Sequence, residues 1–245
     1  MVISWLSAFA DVPEPRVEAA LRFWAAVTAA VPAPPVGDQD EYLPLAGADE
    51  DRYLWVQRVH RPDGGWHPDL HVPDLASAAR QAGALGATVV HQVPGLIVLD
   101  TPAGQPFCLV QDERERRRAR PRRWPAGQHS LLDQICLDIP ADAFDTECEF
   151  WAGLTGWPRR RTSDEFVNLA RPAHLPLRIL LQRLGSDDAG PTRAHADLAC
   201  DDRPAEVERH TELGAELILV AEHWTTLRDP AGLVYCVTDR DPFRD

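Results

Sequence analysis

The sequence predicts an α+β protein that consists of two copies of one domain. The first observation behind this prediction is an internal duplication, because short motifs recur in the same order roughly 128 positions apart in the 245 residues. The second is that each copy alternates between strand-like and helical spacing of apolar residues. A period this long indicates two ordinary domains and excludes a solenoid, whose repeats are several-fold shorter. The recurring motifs are Phe23-Trp24 and Phe150-Trp151, His67-Pro68-Asp69-Leu70 and His195-Ala196-Asp197-Leu198, Leu85-Gly86-Ala87 and Leu213-Gly214-Ala215, and Pro102-Ala103-Gly104 and Pro230-Ala231-Gly232.

Helices and short strands alternate in the first copy. Apolar residues at helical spacing predict a helix over 15–30, which Pro32 and the prolines after it end. A second helix is predicted over 75–85, where Gly86 provides a C-terminal cap. The segment 32–45 has no periodicity and is predicted to be a loop. The predicted strands of this copy are 2–9, 53–59, 66–72, 89–90, 96–99 and 107–110.

The second copy repeats this order, with helices predicted near 144–154 and 204–213 and strands near 131–139, 177–184, 195–200 and on to Val237. We therefore place domain 1 at 1–112, an Arg/Pro-rich linker at 113–128 and domain 2 at 129–245. The linker contains the basic run ERERRRARPRR from Glu113 to Arg123. This run is either an electrostatic patch for nucleic acid or an acidic partner, or a solvated interdomain linker or short helix.

Composition narrows the classes of function. A net charge of -13 opposes a nucleic-acid partner, because such affinity comes mainly from neutralising phosphates. The sequence contains no lysine, which excludes a Schiff-base or P-loop lysine. No apolar run reaches the roughly 18 residues of a membrane span, and no secretory signal is evident, so we expect a cytoplasmic protein with no membrane partner. The five cysteines lack a C-x-x-C pair, which predicts reduced and mostly buried thiols.

The second copy carries the fuller set of motifs, namely Phe150-Trp151, Leu154-Thr155-Gly156-Trp157, His195-Ala196-Asp197-Leu198, Leu213-Gly214-Ala215, and Asp229-Pro230-Ala231-Gly232 followed by Tyr235-Cys236. In this order they resemble the glyoxalase-like branch of the vicinal oxygen chelate superfamily, which also holds the bleomycin-resistance proteins and the extradiol dioxygenases. The resemblance covers nearly the whole chain. It implies tandem domains, each of two βαβββ modules that form a cup-shaped mixed sheet with the helices outside. Ligands and metals of such proteins sit inside the cup.

Metal-binding members of this superfamily draw ligands from the first, fourth, fifth and eighth strands. The resemblance places Gln134, Gln182, His195 and Cys236 at these positions in the second domain. In the first domain the corresponding residues are Ser7, Gln57, His67 and Cys108. Cysteine replaces the last-strand glutamate in both copies, so the matched set contains no carboxylate, and this favours a pocket without a metal. A divalent metal of the Zn, Fe, Mn or Ni kind stays an alternative.

Strand alternation predicts which residues line the pocket. His67, Asp69 and His71 share one face of their strand, either as an acid/base group or as a hydrogen-bonded polar cluster. We expect His67 and His195 to be the candidate catalytic residues. Trp24 and Trp151 are expected in the core. The candidate ligand-binding residues are Trp55, Gln57, Trp66, Asp69, His71, Gln134, Gln182 and Asp197.

Two hypotheses about function remain open. In the first, the tandem cups bind a small hydrophobic or aromatic molecule without turning it over. In the second, the protein is a metal-dependent lyase, isomerase or dioxygenase that acts on a substrate with vicinal oxygens, or uses a histidine base without a metal. The missing carboxylate favours the first hypothesis, and the histidine retained in both copies favours the second. Both a monomer and a homodimer are compatible with the duplication.

Overall fold

A computed structural model describes residues 1–47, 51–112, 114, 116–186, 188 and 190–244. The helices and strands of the first repeat follow the predicted order. They are β1 (Trp5–Pro13), α1 (Val17–Thr28), β2 (Val31–Pro32), β3 (Tyr42–Ala46), β4 (Leu54–Val59), β5 (Gly65–Val72), α2 (Leu75–Ala84), β6 (Thr88–Val93), β7 (Leu96–Asp100) and β8 (Pro106–Gln111). Among these, β2 is the shortest, at two residues.

The second repeat has the same succession of elements, preceded by the short strand β9. They are β9 (Arg122–Arg123), β10 (His129–Ile139), α3 (Phe144–Thr155), β11 (Arg159–Arg161), β12 (Phe166–Leu169), β13 (Arg178–Arg183), β14 (Arg193–Cys200), α4 (Arg203–Glu212), β15 (Glu216–Val220), β16 (Trp224–Arg228) and β17 (Val234–Thr238). No helix in the described part of the chain is long and apolar enough to cross a membrane.

Each repeat contributes one mixed sheet. The strand order is β2-β3-β4-β1-β5-β8-β7-β6 in the first and β11-β12-β13-β10-β14-β17-β16-β15 in the second, where β9 pairs with β10 off the main path. Parallel pairs such as β1 with β4 and β5 with β8 are combined with antiparallel hairpins such as β7 with β8. The predicted α+β class, with two βαβββ modules in each repeat, is confirmed.

The chain forms two compact units, and each takes elements from both repeats. The first unit consists of Met1–Ser7, His67–Arg116 and Ile135–Ala194, and the second of Ala8–Trp66, Arg117–Gln134 and His195–Asp245. Helices α2 and α3 therefore belong to the first unit, and α1 and α4 to the second.

The first unit has an aromatic core between α3 and β8. Phe150 and Trp151 meet Phe107 with ring centroids 5.7 Å and 5.5 Å apart. The indole of Trp151 donates to Oε2 of Glu147 at 3.0 Å, and Oε1 of Glu147 accepts from the backbone N–H of Ala103 at 2.9 Å. Burial raises the pKa of Glu147. One helical carboxylate thus satisfies the buried indole and caps the turn before β8.

The second unit repeats this core with a different carboxylate. Phe23 and Trp24 of α1 meet Tyr235 of β17, with centroids 5.7 Å and 5.1 Å apart. The indole of Trp24 donates to Asp229 at 2.8 Å, and the other oxygen of Asp229 accepts from the backbone of Leu233 at 2.8 Å. Trp24 is fully buried, as is Trp151 of the first unit, so the prediction that both lie in the core is confirmed.

A buried charged network lies beside the second core. Glu206 of α4 is fully buried and accepts hydrogen bonds from Arg209 at 2.6 Å and His210 at 3.1 Å. Burial alone would raise the pKa of Glu206, but the hydrogen bonds from His210 and Arg209 hold it well below its usual range. Ser130 at 2.6 Å and Gln128 at 3.2 Å complete the set of donors. The carboxylate is therefore ionised and fully hydrogen-bonded in the interior.

Part of the predicted linker is folded into this second unit. The guanidinium of Arg209 lies 3.6 Å from the ring centroid of Trp124, whose indole donates to Ser130 at 2.8 Å. Strand β9 pairs with the start of β10, and Ala119 is buried. Ala119 and Trp124 are thus packed into this unit, whereas Arg120 and Arg123 are exposed to solvent. Glu113 and Glu115 of the basic run lie outside the described residues.

Strand β3 lies in the segment that was predicted to be a loop, and β12 had no prediction. The sequence of β3 includes Pro44, and prolines also precede it, so its local signal is that of a loop. The strand forms because β4 supplies an antiparallel partner, with Tyr42 opposite Gln57 and Leu45 opposite Leu54. The helix end at Gly86 is as predicted, since this residue has a φ of 100°.

Candidate functional site

The first unit contains a buried cluster of histidine, aspartate and cysteine. His67 and Asp69 lie on β5, and the parallel register places Cys108 of β8 directly beside Asp69. The potential ligand atoms of the three side chains all lie within 4.8 Å of one another, and Nε2 of His67 is 3.4 Å from Oδ1 of Asp69. That oxygen is buried and accepts no hydrogen bond from the described residues.

The second unit contains the same cluster. His195 and Asp197 lie on β14, with Cys236 of β17 beside Asp197 in the parallel register. Their ligand atoms again lie within 4.8 Å of one another, with Nε2 of His195 3.2 Å from Oδ1 of Asp197. Gln134 donates to the other oxygen of Asp197 at 2.5 Å, whereas Oδ1 accepts no hydrogen bond from the described residues. Only 3–8% of each of the three clustered residues is exposed.

Strand geometry explains why this cluster forms twice. Residues at i and i+2 share one face of a strand, so the H-x-D motif places an imidazole beside a carboxylate. A cysteine on the neighbouring parallel strand then completes the set. The matched metal set contained no carboxylate, but the structure places Asp69 and Asp197, which were expected to bind ligand, within reach of the histidine and the thiol.

The metal-ligand set predicted for the second repeat is only partly brought together. His195 and Cys236 are in the cluster, and Gln134 is linked to it through Asp197. Gln182 belongs to the first unit, where its amide donates to Glu165 at 2.6 Å and its oxygen accepts from the thiol of Cys136 at 3.6 Å. In the second unit the oxygen atom next to the imidazole and the thiol therefore belongs to the carboxylate of Asp197.

The surroundings of His71 and Cys108 in the first unit favour the neutral form of both side chains. Burial and the nearby Arg116 guanidinium lower the pKa of His71 to about 4. The two ring nitrogens of His71 lie 3.0 Å from Oγ of Ser7 and 3.2 Å from a guanidinium nitrogen of Arg116. Burial and the charge of Asp69 raise the pKa of the Cys108 thiol to about 12. His71 is therefore a hydrogen-bonded neutral residue at physiological pH, and Cys108 is a thiol.

Comparison with known proteins decides the family. A family model described as a glyoxalase-like domain matches the chain twice, over residues 7–110 and 134–238. The chain belongs to the glyoxalase-like domain family. Each repeat is thus one glyoxalase-like domain sequence, and the resemblance seen in the motifs is confirmed. No curated protein sequence matches the chain significantly.

Solved structures share the fold of these glyoxalase-like repeats at low sequence identity. The Mn(II)-bound glyoxalase from Novosphingobium aromaticivorans is 17% identical with a TM-score of 0.67, over 96% of this chain and 82% of that one. A triple mutant of 4-hydroxymandelate synthase from Streptomyces coelicolor is 16% identical with a TM-score of 0.64, over 100% of this chain and 94% of that one. The 2,2',3-trihydroxybiphenyl 1,2-dioxygenase from Sphingomonas wittichii strain RW1 is 13% identical with a TM-score of 0.63, over 97% of this chain and 90% of that one.

Aromatic residues of the first glyoxalase-like repeat take two different roles in the second unit. Trp55 is half-buried and stacks on Phe9, with centroids 5.5 Å apart and ring planes 9° from parallel. Tyr42, whose strand neighbour is Gln57, meets Phe9 edge-on at 6.1 Å. Trp66 instead is buried edge-on against Trp24 at 5.1 Å. The expectation that Trp66 lines a ligand pocket is therefore corrected, because it is part of the core.

Sequence reasoning missed two features of these glyoxalase-like repeats. Asp69 and Asp197 were assigned to ligand binding and not to the metal set, although their shared face with His67 and His195 was visible in the repeated H-x-D motif. Arg116 was assigned to a linker, and no periodicity in the basic run signals that it contacts His71. The first feature could have been found from strand alternation, whereas the second depends on tertiary structure.

Proposed function

We propose that this glyoxalase-like protein binds a small organic molecule through a divalent metal held by His195, Asp197 and Cys236. The observation that carries the proposal is the buried oxygen Oδ1 of Asp197, which accepts no hydrogen bond from the described residues and lies beside an imidazole and a thiol. An uncompensated buried carboxylate oxygen is costly, and a cation removes that cost. Imidazole nitrogen, carboxylate oxygen and cysteine sulfur together form a donor set that suits zinc.

The residues of the second repeat have separate tasks in this proposal. A bound divalent metal supplies Lewis acidity toward an oxygen of the organic molecule. Gln134 holds the second oxygen of Asp197 and so orients the carboxylate toward the cluster. The parallel register of β14 and β17 fixes Cys236 beside Asp197. Burial of all three ligands keeps bulk water away from them.

The cluster of the first repeat has the same kinds of donor, but its thiol is held in the protonated form. Burial and Asp69 raise the pKa of Cys108 to about 12, so a metal there would have to displace a tightly held proton. We therefore propose the second repeat as the principal metal site. His67 would act on a ligand of the first repeat as a hydrogen-bonding or basic group without a metal.

A second candidate function is binding without turnover. The stacked pair Phe9 and Trp55, with Tyr42 edge-on to it, offers an aromatic surface suited to a flat organic molecule. The similar structures favour the enzyme candidate, since one is named as an Mn(II)-bound glyoxalase and another as a trihydroxybiphenyl dioxygenase. Turnover of an oxygen-bearing aromatic compound by the metal-loaded protein would separate the enzyme from the binding module.

The test is elemental analysis by plasma mass spectrometry on tag-free protein purified without chelator and without a nickel column. We expect about one zinc-type metal per chain, lost in His195→Ala and in Asp197→Asn. His223→Ala is the matched control, because His223 is exposed in the same unit and should leave the metal content unchanged. Circular dichroism checks that each variant is folded. Trace metal after incubation with zinc, or equal metal in all variants, would refute the proposal.

A further inference from the structure

One face of the strands β11, β12 and β13 in the first unit is left open. Burial alternates along β12 and β13, with Val167, Leu169, Ile179 and Leu181 buried. Helix α3 packs against β13, so these buried residues form the covered face. The intervening residues are half-buried and form the opposite, open face.

The strand register shows which side chains share this open face. Arg160 of β11 lies opposite Asn168 of β12, which in turn lies opposite Leu180 of β13. Phe166 forms a second pair with Gln182. Side chains of directly opposed residues lie on the same side of a sheet. Alternation along β13 adds Arg178, two residues before Leu180. The open face thus combines two guanidinium groups with two amides and two apolar side chains.

Arg160 is exposed to solvent. Among the described residues, no carboxylate or other group forms a hydrogen bond or ion pair with it, although the protein as a whole carries a net charge of -13. The nearby carboxylate of Glu165 already accepts from the amide of Gln182 at 2.6 Å. Asp138 lies 3.8 Å from the guanidinium of Arg193. The acidic groups beside this face are therefore engaged by other partners.

We propose that this open face binds the carboxylate of an aromatic acid. Arg160 would hold the carboxylate, because a planar guanidinium matches it in a bidentate fashion, and Arg178 would add positive charge on the same face. Phe166 and Leu180 would pack against the aromatic ring, and the amide of Asn168 would donate to the acid. The inference rests on the proposed function as a small-molecule-binding protein and names the class of molecule.

Edge protection is the competing explanation for arginine on β11. Charged residues on an edge strand prevent pairing with another chain, and β11 is the first strand in its sheet. That explanation applies equally to Arg159, Arg160 and Arg161. Of these three arginines only Arg160 belongs to the carboxylate site, because Arg159 and Arg161 lie opposite Leu169 and Val167 and so project from the other side of the sheet.

The experiment is calorimetric titration of the full chain with 2-naphthoate, with 2-naphthamide as the uncharged probe. We expect saturable naphthoate binding that weakens at least tenfold in Arg160→Gln and in Arg178→Gln. Arg159→Gln is the matched control, since it removes the same charge from the same strand on the other face and should leave the Kd within twofold. Naphthamide should bind at least tenfold more weakly than naphthoate.

Three results would overturn the inference: no naphthoate binding, equal loss in Arg159→Gln and Arg160→Gln, or equal affinity for the acid and the amide. Metal analysis of the same samples separates this inference from the proposed metal site. Trace metal together with naphthoate binding that depends on Arg160 would refute the metal site and support the carboxylate site. Stoichiometric metal without naphthoate binding would refute the carboxylate site alone.

Discussion

Glu206→Gln should strongly destabilise the second unit. The carboxylate is fully buried and accepts hydrogen bonds from Arg209, His210, Ser130 and Gln128. An amide removes the negative charge and places an N–H₂ group among donors, while the side chain of Arg209 stays 14% exposed. Breaking a buried ion pair by removing one partner costs about 3–5 kcal/mol. At about 2–4 °C per kcal/mol for a chain of this size, the Tm should fall by about 6–20 °C.

The assay is thermal unfolding followed by circular dichroism, together with urea unfolding at pH 7. Glu208→Gln is the matched control, because Glu208 is exposed on the same helix and its loss should change stability by less than about 0.5 kcal/mol. The folded state lowers the pKa of Glu206, so its contribution is present above the unfolded pKa of about 4.3 and is lost as the pH falls. The difference between wild type and Glu206→Gln should therefore shrink below about pH 4. A Glu206→Gln variant as stable as Glu208→Gln at pH 7 would refute this reasoning.

Three further predictions concern other residues. His71→Gln should make the stability of the protein less sensitive to acid, because burial lowers the pKa of His71 in the folded state from 6.5 to about 4. Between pH 7 and pH 4, the free energy of unfolding measured in urea should fall by up to about 3 kcal/mol more in wild type than in the variant. Gly232→Ala should cost about 1–2 kcal/mol because its φ is 95°, whereas Gly185→Ala, in open space, should be near neutral in the same assay. Trp151→Phe removes the donor to buried Glu147 and should cost about 1–3 kcal/mol by thermal unfolding, and an unchanged Tm would count against that hydrogen bond.

The sequence predicted most of the fold because its signals are local. Helical spacing around Trp24 and Trp151 and the glycine at 86 are properties of neighbouring residues, and the structure confirms the helices they predict. Strand β3 was missed because its sequence YLPLA is stabilised by pairing with β4, which no local pattern encodes. Short strands such as β12 depend on their partners in the same way.

The candidate site was predicted less completely for the same reason. Alternation in H-x-D-L placed His67 beside Asp69, but the proximity of Cys108 depends on a parallel register between strands far apart in sequence. The position of Trp66 could not be predicted from its neighbours, because its packing partner Trp24 lies in a distant helix. Interactions between remote segments therefore account for most of what the sequence did not show.

The interleaving of the repeats means that the duplication did not produce two separable proteins. Trp24 of the first repeat is satisfied by Asp229 of the second, and Ala103 of the first is capped by Glu147 of the second. A chain cut between the repeats would leave each fragment with half of two aromatic cores. The two halves are therefore constrained together: a substitution of Asp229 in the second repeat leaves the indole of Trp24 in the first without its acceptor, and a substitution of Glu147 does the same to Ala103.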